Sequence, residues 1–188
     1  MSADVIIFAE TWLTGHHNNR AFDIDGFNTC RFDSHIQSGH RGLLMLWKEN
    51  LHISTPQNYQ SQIIELISCC VHKSGHTFNI IGVYKPPSSR QADFLSELSN
   101  YLDKFDTDEN IILIGDMNID ISHGQSANFL KYMKQYYSLV QRTQTNTTWD
   151  NTQIDLVFTN FINVETSVLT TMWSKHHLLT CTIEHTTS

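Results

Sequence analysis

Short apolar runs, each closed by a turn or by a polar residue, are the feature that most constrains the fold of this chain. Their β-branched content and their brevity favour strands buried inside a sheet. Ser74-Gly75, between two of these runs, is typical of a β-hairpin turn. The predicted strands are residues 5–9, 22–27, 43–47, 63–71, 77–84, 110–114, 154–159, 164–170 and 178–183.

Helical periodicity occurs in only two segments. Apolar residues from Phe94 to Phe105 recur at helical spacing and predict an amphipathic helix over about residues 90–105. A second helix is predicted around residues 129–137. Strands therefore outnumber helices, and neither a repeat nor a linker divides the chain. We predict one domain, residues 1–188, with an α+β four-layer sandwich in which two mainly antiparallel sheets pack together and helices lie outside.

The charge of the chain restricts how it could bind a polyanion. Lys and Arg number 12 against 19 Asp and Glu, which gives a formal net charge of −7. This excess of acid argues against nucleic-acid binding by bulk electrostatic attraction, which needs Lys and Arg. It permits a nuclease with a local cationic rim around an acidic, metal-loaded centre.

Cysteine usage and hydropathy suggest an intracellular protein without a membrane segment. Four cysteines in 188 residues, without regular spacing, favour reduced thiols over a disulfide scaffold. The apolar runs are shorter than the roughly 18–20 residues that cross a bilayer, and no secretion signal is visible. Residues 69–72 with His76 permit a zinc site, but without a second Cys/His pair at finger spacing we favour cysteines packed as small core residues.

Several polar residues stand at the ends of predicted buried strands. Glu10 and Asp116 follow such strands, Asn118 lies just beyond, Asp155 begins one and His176 precedes the last. A buried carboxylate costs several kcal/mol unless it is paired or binds a metal. If these strands are neighbours, their ends converge on one mouth that could hold Mg²⁺ and act on a phosphate. Each residue also has a structural interpretation, as a turn former or a satisfied buried group.

Five short motifs occur along the chain, and they are Ala9-Glu10-Thr11-Trp12-Leu13, Gly82-Val83-Tyr84-Lys85-Pro86-Pro87, Gly115-Asp116-Met117-Asn118-Ile119-Asp120, Ile154-Asp155-Leu156-Val157-Phe158-Thr159-Asn160 and Trp173-Ser174-Lys175-His176. They follow the order found in the endonuclease/exonuclease/phosphatase superfamily, which the chain resembles from Glu10 to Ile183. The residues of the motifs are most similar to the apurinic-endonuclease-like domains of non-LTR retrotransposons and Helitron-type transposons.

This resemblance implies a Mg²⁺-dependent DNA endonuclease domain within a larger mobile-element polyprotein, with Mn²⁺ as a possible substitute. Glu10 would be the main metal ligand, Asp116 and Asn118 would orient the attacking water, and Tyr84 would contact the scissile phosphate. Water would attack a DNA phosphodiester and leave 3′-hydroxyl and 5′-phosphate ends. A nuclear location follows only from the DNA substrate.

The resemblance also implies roles for residues in the second half of the chain. His176 would pair with Asp155, which would fix the tautomer of the imidazole. Thr152 stands where relatives often have serine and would help to hold phosphate. Trp149 and Arg41 could line the DNA groove, although a packed Trp and an exposed Arg are equally compatible with the sequence.

Two departures from the family pattern leave other functions open. Lys175 replaces the Asp that relatives carry before the last His, and its ammonium could either contact phosphate or repel Mg²⁺. The chain also starts too late to include the family's N-terminal strand with its Asn, so a truncated sandwich is expected. The alternatives are a catalytically weak relative that binds nucleic acid or protein and, with less support, a phosphatase acting on other phosphoesters.

Overall fold

The computed structural model describes residues 3–33, 41–122 and 124–183. Within these residues it contains two α-helices, α1 (Gln91–Leu102) and α2 (Ala127–Tyr137), and single 3₁₀ turns at Asn19–Phe22 and Gly124–Ser126. The strands of the same residues are β1 (Val5–Ala9), β2 (Phe27–Phe32), β3 (Leu43–Lys48), β4 (His52–Ile53), β5 (Gln57–Gln60), β6 (Glu65–Lys73), β7 (His76–Tyr84), β8 (Asn110–Asp116), β9 (Val140–Gln141), β10 (Asp155–Thr159), β11 (Val164–Leu169) and β12 (Leu178–Ile183).

The larger sheet has seven strands and carries most of the architecture. Its order is β4-β6-β7-β8-β10-β9, and β5 pairs with β6 beside β4. Strands β7 and β8 are parallel because α1 connects them in a crossover, and the other pairs are antiparallel. The hairpin between β6 and β7 turns at Ser74 and Gly75, both with positive φ, as predicted.

The smaller sheet has the order β1-β3-β2 and is antiparallel throughout. In a strand, adjacent side chains point to opposite faces, so Ile7 and Ala9 of β1 pack toward the larger sheet while Phe8 is exposed. Strand β1 was predicted to be buried on both faces, and in the structure only one of its faces is covered. Strands β11 and β12 form a separate hairpin.

Two hydrophobic cores lie on opposite faces of the larger sheet. One core joins this sheet to both α-helices through Phe94, Leu98, Phe129 and Met133. The other fills the space between the two sheets and includes Tyr84 at its edge. The mainly antiparallel α+β sandwich is thus confirmed, with both helices of the described residues on the same side of the larger sheet.

The smaller sheet has no α-helix of the described residues packed on it, although the four-layer prediction placed helices outside both sheets. The 3₁₀ turn at Asn19–Phe22 lies beside strand β2 of this sheet instead. Thr29 donates a hydrogen bond to the carbonyl of Phe22, and Arg31 donates to the carbonyls of Thr14 and His17. The prediction of a strand at residues 22–27 was wrong, since Gly26 turns the chain with φ 80° and β2 begins only afterwards.

The expected lack of the family's N-terminal strand stays a prediction. Neither α1 nor α2, the α-helices of the described residues, has the length and apolar content needed to cross a bilayer.

Candidate active site

Four polar residues form one row across neighbouring strands of the larger sheet. Tyr84 of β7 is in register with Glu65 of β6 on one side and with Asp116 of β8 on the other. Asp116 is in turn in register with Asp155 of β10. Residues in register present their side chains on the same face, and here that face is the one that meets the smaller sheet. The sequence separates these residues by up to 90 positions, and the strand pairing brings them side by side.

Asp116 is buried and is held by the turn that follows β8. The backbone N–H of Asn118 donates to Oδ1 of Asp116 at 2.9 Å, and Nδ2 of Asn118 donates to Oδ2 at 3.2 Å and to the Lys85 carbonyl at 2.9 Å. Asn118 adopts a left-handed backbone with φ 45°. Gly115 is required just before, because a Cβ there would lie 1.9 Å from the carbonyl oxygen of Val83.

The Asp155 carboxylate and the His176 imidazole form a hydrogen-bonded pair. Nδ1 of His176 lies 2.9 and 3.1 Å from the two carboxylate oxygens. The backbone N–H of Asp155 donates to the hydroxyl of Thr147, which also accepts from Ile154, so this buried threonine fixes the start of β10. Because Nδ1 is bonded to the carboxylate, Nε2 is the nitrogen available to a substrate.

Glu10 follows β1 and reaches the same site from the smaller sheet. The hydroxyl of Tyr84 donates a short hydrogen bond to Oε1 of Glu10. Glu10 and Trp12 both have left-handed backbones, with φ 52° and 56°, which are costly for residues other than glycine. The segment is fixed by hydrogen bonds from the N–H groups of Thr11 and Trp12 to the residue 42 and residue 41 carbonyls.

Arg41 lies in the wall of the site and supports this strained segment. It is buried, and its guanidinium donates to the carbonyls of Ser61 at 2.8 Å and Gln62 at 2.7 Å. Glu65, also buried, lies 3.9 Å from the guanidinium and accepts the N–H of Gly42 at 2.9 Å. The guanidinium is therefore committed to the protein, whereas the sequence left open whether Arg41 lines a DNA groove or is an exposed arginine.

Burial and mutual repulsion shift the proton affinities of the site. Burial, reinforced by the charges of Asp155 and Glu10, raises the pKa of Asp116 to about 7. The hydrogen bond that His176 donates to Asp155 raises the pKa of His176 to about 9, with smaller contributions from the other two carboxylates. Burial and the bond to Glu10 raise the pKa of the Tyr84 hydroxyl, which keeps it a donor. Strong shifts concentrated in one cleft are typical of a functional site.

Asp116, Asp155 and His176 each offer a ligand atom, and these atoms lie within 4.8 Å of one another. The carboxylate oxygens suit Mg²⁺ or Mn²⁺, which accept a few protein oxygens and keep several waters. The pKa of Asp116 is raised first by burial and then by the neighbouring carboxylates, and a divalent cation bound there would favour the charged form. Glu10 lies outside this group but acts electrostatically on Asp116 and His176. The zinc alternative gains no support, since among the described residues this is the one group of three such ligands.

A cleft of about 680 Å³ opens beside Glu10 and Tyr84. Trp12, Arg41 and Arg90 line it together with Pro86 and Pro87. Arg90 is itself paired with Asp93 at 2.7 Å, so the cleft combines apolar surface with compensated charges.

The remaining predicted residues lie around the Asp155–His176 pair, here called the dyad. Thr152 shares a hydrogen bond of 2.7 Å with the hydroxyl of Thr148, whose backbone forms a bridge with His176. Trp149 is half exposed, and Lys175 is exposed and accepts the N–H of Trp149 on its carbonyl. The structure thus gathers the predicted residues around one mouth.

Sequence reasoning missed two supporting residues, Glu65 and Thr147. Both are buried polar groups, and both bond to backbone N–H groups of the site. Glu65 stands at the start of an apolar strand, as Asp155 does, and that placement was the available signal. Nothing in the sequence around Thr147 distinguishes it from the adjacent threonine, because its role depends on the distant β10.

Comparison with known proteins places this geometry in a wider group. The sequence model of the Endonuclease/Exonuclease/phosphatase family matches residues 1–176. No curated protein gives a match to the sequence.

Solved structures share the fold at low identity. The endonuclease domain of TRAS1, a telomere-specific non-LTR retrotransposon, has a TM-score of 0.73 at 12% identity, covering 96% of this chain and 85% of that one. The AP endonuclease LMAP from Leishmania major has a TM-score of 0.73 at 14% identity, covering 97% and 78%. The mannosyl-6-phosphatase Bt3783 from Bacteroides thetaiotaomicron has a TM-score of 0.67 at 11% identity, covering 97% and 85%.

Proposed function

The chain belongs to the endonuclease/exonuclease/phosphatase family, and from this membership we propose that it is a metal-dependent DNA endonuclease domain of a mobile element. The observation that carries the proposal is the row of Tyr84, Asp116 and Asp155, with Glu10 and the His176 imidazole at the same mouth. The shared fold with the TRAS1 endonuclease domain supports the choice of a mobile element and of DNA.

The carboxylates of Asp116 and Asp155 are the groups that would hold Mg²⁺ or Mn²⁺, and the carboxylate of Glu10, the metal ligand that the family resemblance implies, reaches the same site beside Tyr84. Bound there, the ion would offset the negative charge that grows on the phosphate oxygens during the reaction. Asp116 must be deprotonated for this role, and its raised pKa of about 7 places that proton loss near neutral pH.

The proposed reaction is in-line attack of a water molecule on the scissile phosphorus. The water oxygen forms the new P–O bond while the bond from phosphorus to the 3′-oxygen breaks, and the water proton passes to the Asp116 carboxylate. The departing 3′-oxygen takes up a proton from solvent water and leaves a 3′-hydroxyl opposite a 5′-phosphate. Asn118 orients Asp116 through two hydrogen bonds, so its carboxylate is directed before substrate binds.

His176 and Tyr84 are the donors available to the phosphate. The carboxylate of Asp155 holds the imidazole at Nδ1, and a pKa of about 9 keeps His176 protonated at neutral pH in the metal-free protein. Its Nε2 would then donate to a phosphate oxygen and stabilise the transition state. The hydroxyl of Tyr84, aligned by Glu10, would contact the same phosphate.

Lys175 favours a second candidate, a catalytically weak relative that retains DNA binding. It directly precedes His176 and is exposed, and among the described residues it has no ion pair with a carboxylate. An uncompensated ammonium on the residue that precedes His176 would attract DNA phosphate and oppose a divalent cation.

Nicking of supercoiled plasmid with Mg²⁺, with Mn²⁺ and with EDTA tests the proposal. We expect metal-dependent open-circular product that a polymerase extends from its 3′-hydroxyl. His176→Ala should lower the rate about 100-fold or more, as expected for loss of a transition-state donor. The matched control is His16→Ala, which removes an exposed imidazole outside the site. Plasmid binding without nicking would support the second candidate, and hydrolysis of small phosphomonoesters alone would support a phosphatase.

A further inference from the structure

The loop between β11 and β12 carries two large apolar side chains that are almost fully exposed. Met172 is 86% exposed and Trp173 is 85% exposed. Neighbouring exposed apolar side chains often mark an interaction site, whereas a single exposed apolar residue is normal on a protein surface. This pair lies close to the dyad, because the loop that carries it also carries His176.

The loop is held in place by hydrogen bonds on both sides of the exposed pair. The hydroxyl of Thr171 donates to the carbonyl of His176 at 2.6 Å, and the N–H of His176 donates to the hydroxyl of Ser174 at 3.1 Å. The indole N–H of Trp149 donates to the carbonyl of Thr171 at 3.2 Å. Met172 and Trp173 therefore project from a fixed loop.

Trp149, which bonds to this loop, and Lys175, which belongs to it, complete a group of exposed residues here called the tip surface (Trp149, Met172, Trp173 and Lys175). Trp149 is 51% exposed, and its indole and backbone both bond to this loop. Lys175 is exposed and adds one positive charge. The tip surface thus combines aromatic and flexible apolar groups with a cation.

The distance to the dyad limits what the tip surface can contact. Trp173 lies three residues before His176, so their Cα atoms are at most about 11 Å apart. Successive phosphates of one DNA strand advance by about 3.4 Å along the axis, so this reach corresponds to at most about three nucleotides. A DNA strand with its phosphate at His176 would place neighbouring bases beside the tip surface.

We propose that the tip surface stacks against nucleobases next to the scissile phosphate and unstacks a base step there, an inference that rests on the proposed function. Aromatic side chains stack on bases of any sequence, and inserted apolar side chains such as Met open a base step. Lys175 contacts an adjacent phosphate. Because Met172, Trp173 and Lys175 share one loop with His176, a DNA strand bound at His176 would pass this surface, and we therefore assign it to DNA.

The first test measures binding without catalysis. The whole chain is mixed in EDTA with duplex DNA that carries 2-aminopurine, whose fluorescence rises on unstacking. Met172→Ala/Trp173→Ala should bind about 10-fold more weakly, within the range for one lost stacked base, and should abolish the rise. Trp173→Phe should retain both. Ile162→Ala is the matched control, because Ile162 is 82% exposed beyond the other end of β10.

The second test measures nicking in Mg²⁺ on an intact duplex and on a duplex with an unpaired base at the cut site. The double variant should lose about 10-fold on the intact duplex and much less on the opened one. If the wild type nicks DNA and the tip-surface variants bind and nick DNA as well as the wild type does, this inference is overturned and the proposed function stands. Tip-dependent binding without any nicking would overturn the proposed function alone. Self-association that the double variant abolishes, with DNA binding unchanged, would assign the surface to a second copy and overturn the inference.

Discussion

Replacing Asp155 with Asn tests the electrostatic account of the dyad directly. The substitution keeps the shape of the side chain and one acceptor for Nδ1 of His176, but it removes the charge. Asp155 makes the largest contribution to the raised pKa of His176. The pKa of His176 in Asp155→Asn should therefore fall from about 9 toward its ordinary value of 6.5.

The expected loss of stability follows from the same shift. At about 1.4 kcal/mol for each tenfold change in acidity, the coupling would approach about 3 kcal/mol in a fully buried pair. The imidazole is 37% exposed, so solvent screening reduces this to about 1–2 kcal/mol. A raised folded-state pKa stabilises fully below the unfolded value of 6.5, and this stabilisation is lost as the pH rises through about 9.

Two measurements on the metal-free protein check this reasoning. NMR titration of the His176 ring gives its pKa, and urea unfolding at about pH 6 and about pH 10 gives the free energy of unfolding on either side of the transition. Asp155→Asn should be destabilised at the lower pH and much less at the higher pH. Asp108→Asn, in an exposed loop, is the control for loss of a carboxylate. An unchanged pKa of His176, or equal destabilisation at both pH values, would refute the argument.

Two further predictions concern the metal and Lys175. Mg²⁺ affinity, measured by titration calorimetry, should increase as the pH rises through about 7, because burial makes Asp116 retain its proton below that pH. An affinity that stays constant between about pH 6 and pH 8 would contradict this prediction. Lys175→Asp should raise Mg²⁺ affinity by about 10-fold, because the ammonium opposes the cation, and should weaken DNA binding, because the ammonium contacts phosphate, with Lys131→Asp on the exposed face of α2 as the control. DNA binding equal to that of the wild type would contradict the phosphate contact, and unchanged Mg²⁺ affinity would contradict the opposition to the cation.

Local signals in the sequence predicted local structure well. The Ser74-Gly75 turn defines its hairpin by backbone conformation alone, and the apolar periodicity of α2 defines that helix. Strands β4 and β5 were missed because they are short edge strands, and the polar run of β5 has no apolar alternation. The false strand at residues 22–27 arose from apolar residues on either side of a glycine turn.

The composition of the site was predictable, but its geometry was not. Glu10, Asp116, Asp155 and His176 were all identified as polar residues at strand ends. Their adjacency depends on β8 pairing with both β7 and β10, and no local pattern specifies which distant strands pair. The commitment of Arg41 to the carbonyls of residues 61 and 62 was hidden for the same reason.

The distribution of energetic costs is itself an argument for function. Glu10 and Asn118 adopt left-handed backbones, and Asp116 is a buried carboxyl whose pKa rises to about 7 beside Asp155. Glycine at the left-handed positions would avoid the strain, and an apolar side chain in place of Asp116 would avoid the desolvation. These costs meet at one mouth of the sandwich. A bound cation and a phosphate would offset the charge there, so ligand binding should stabilise the folded chain as well as permit catalysis.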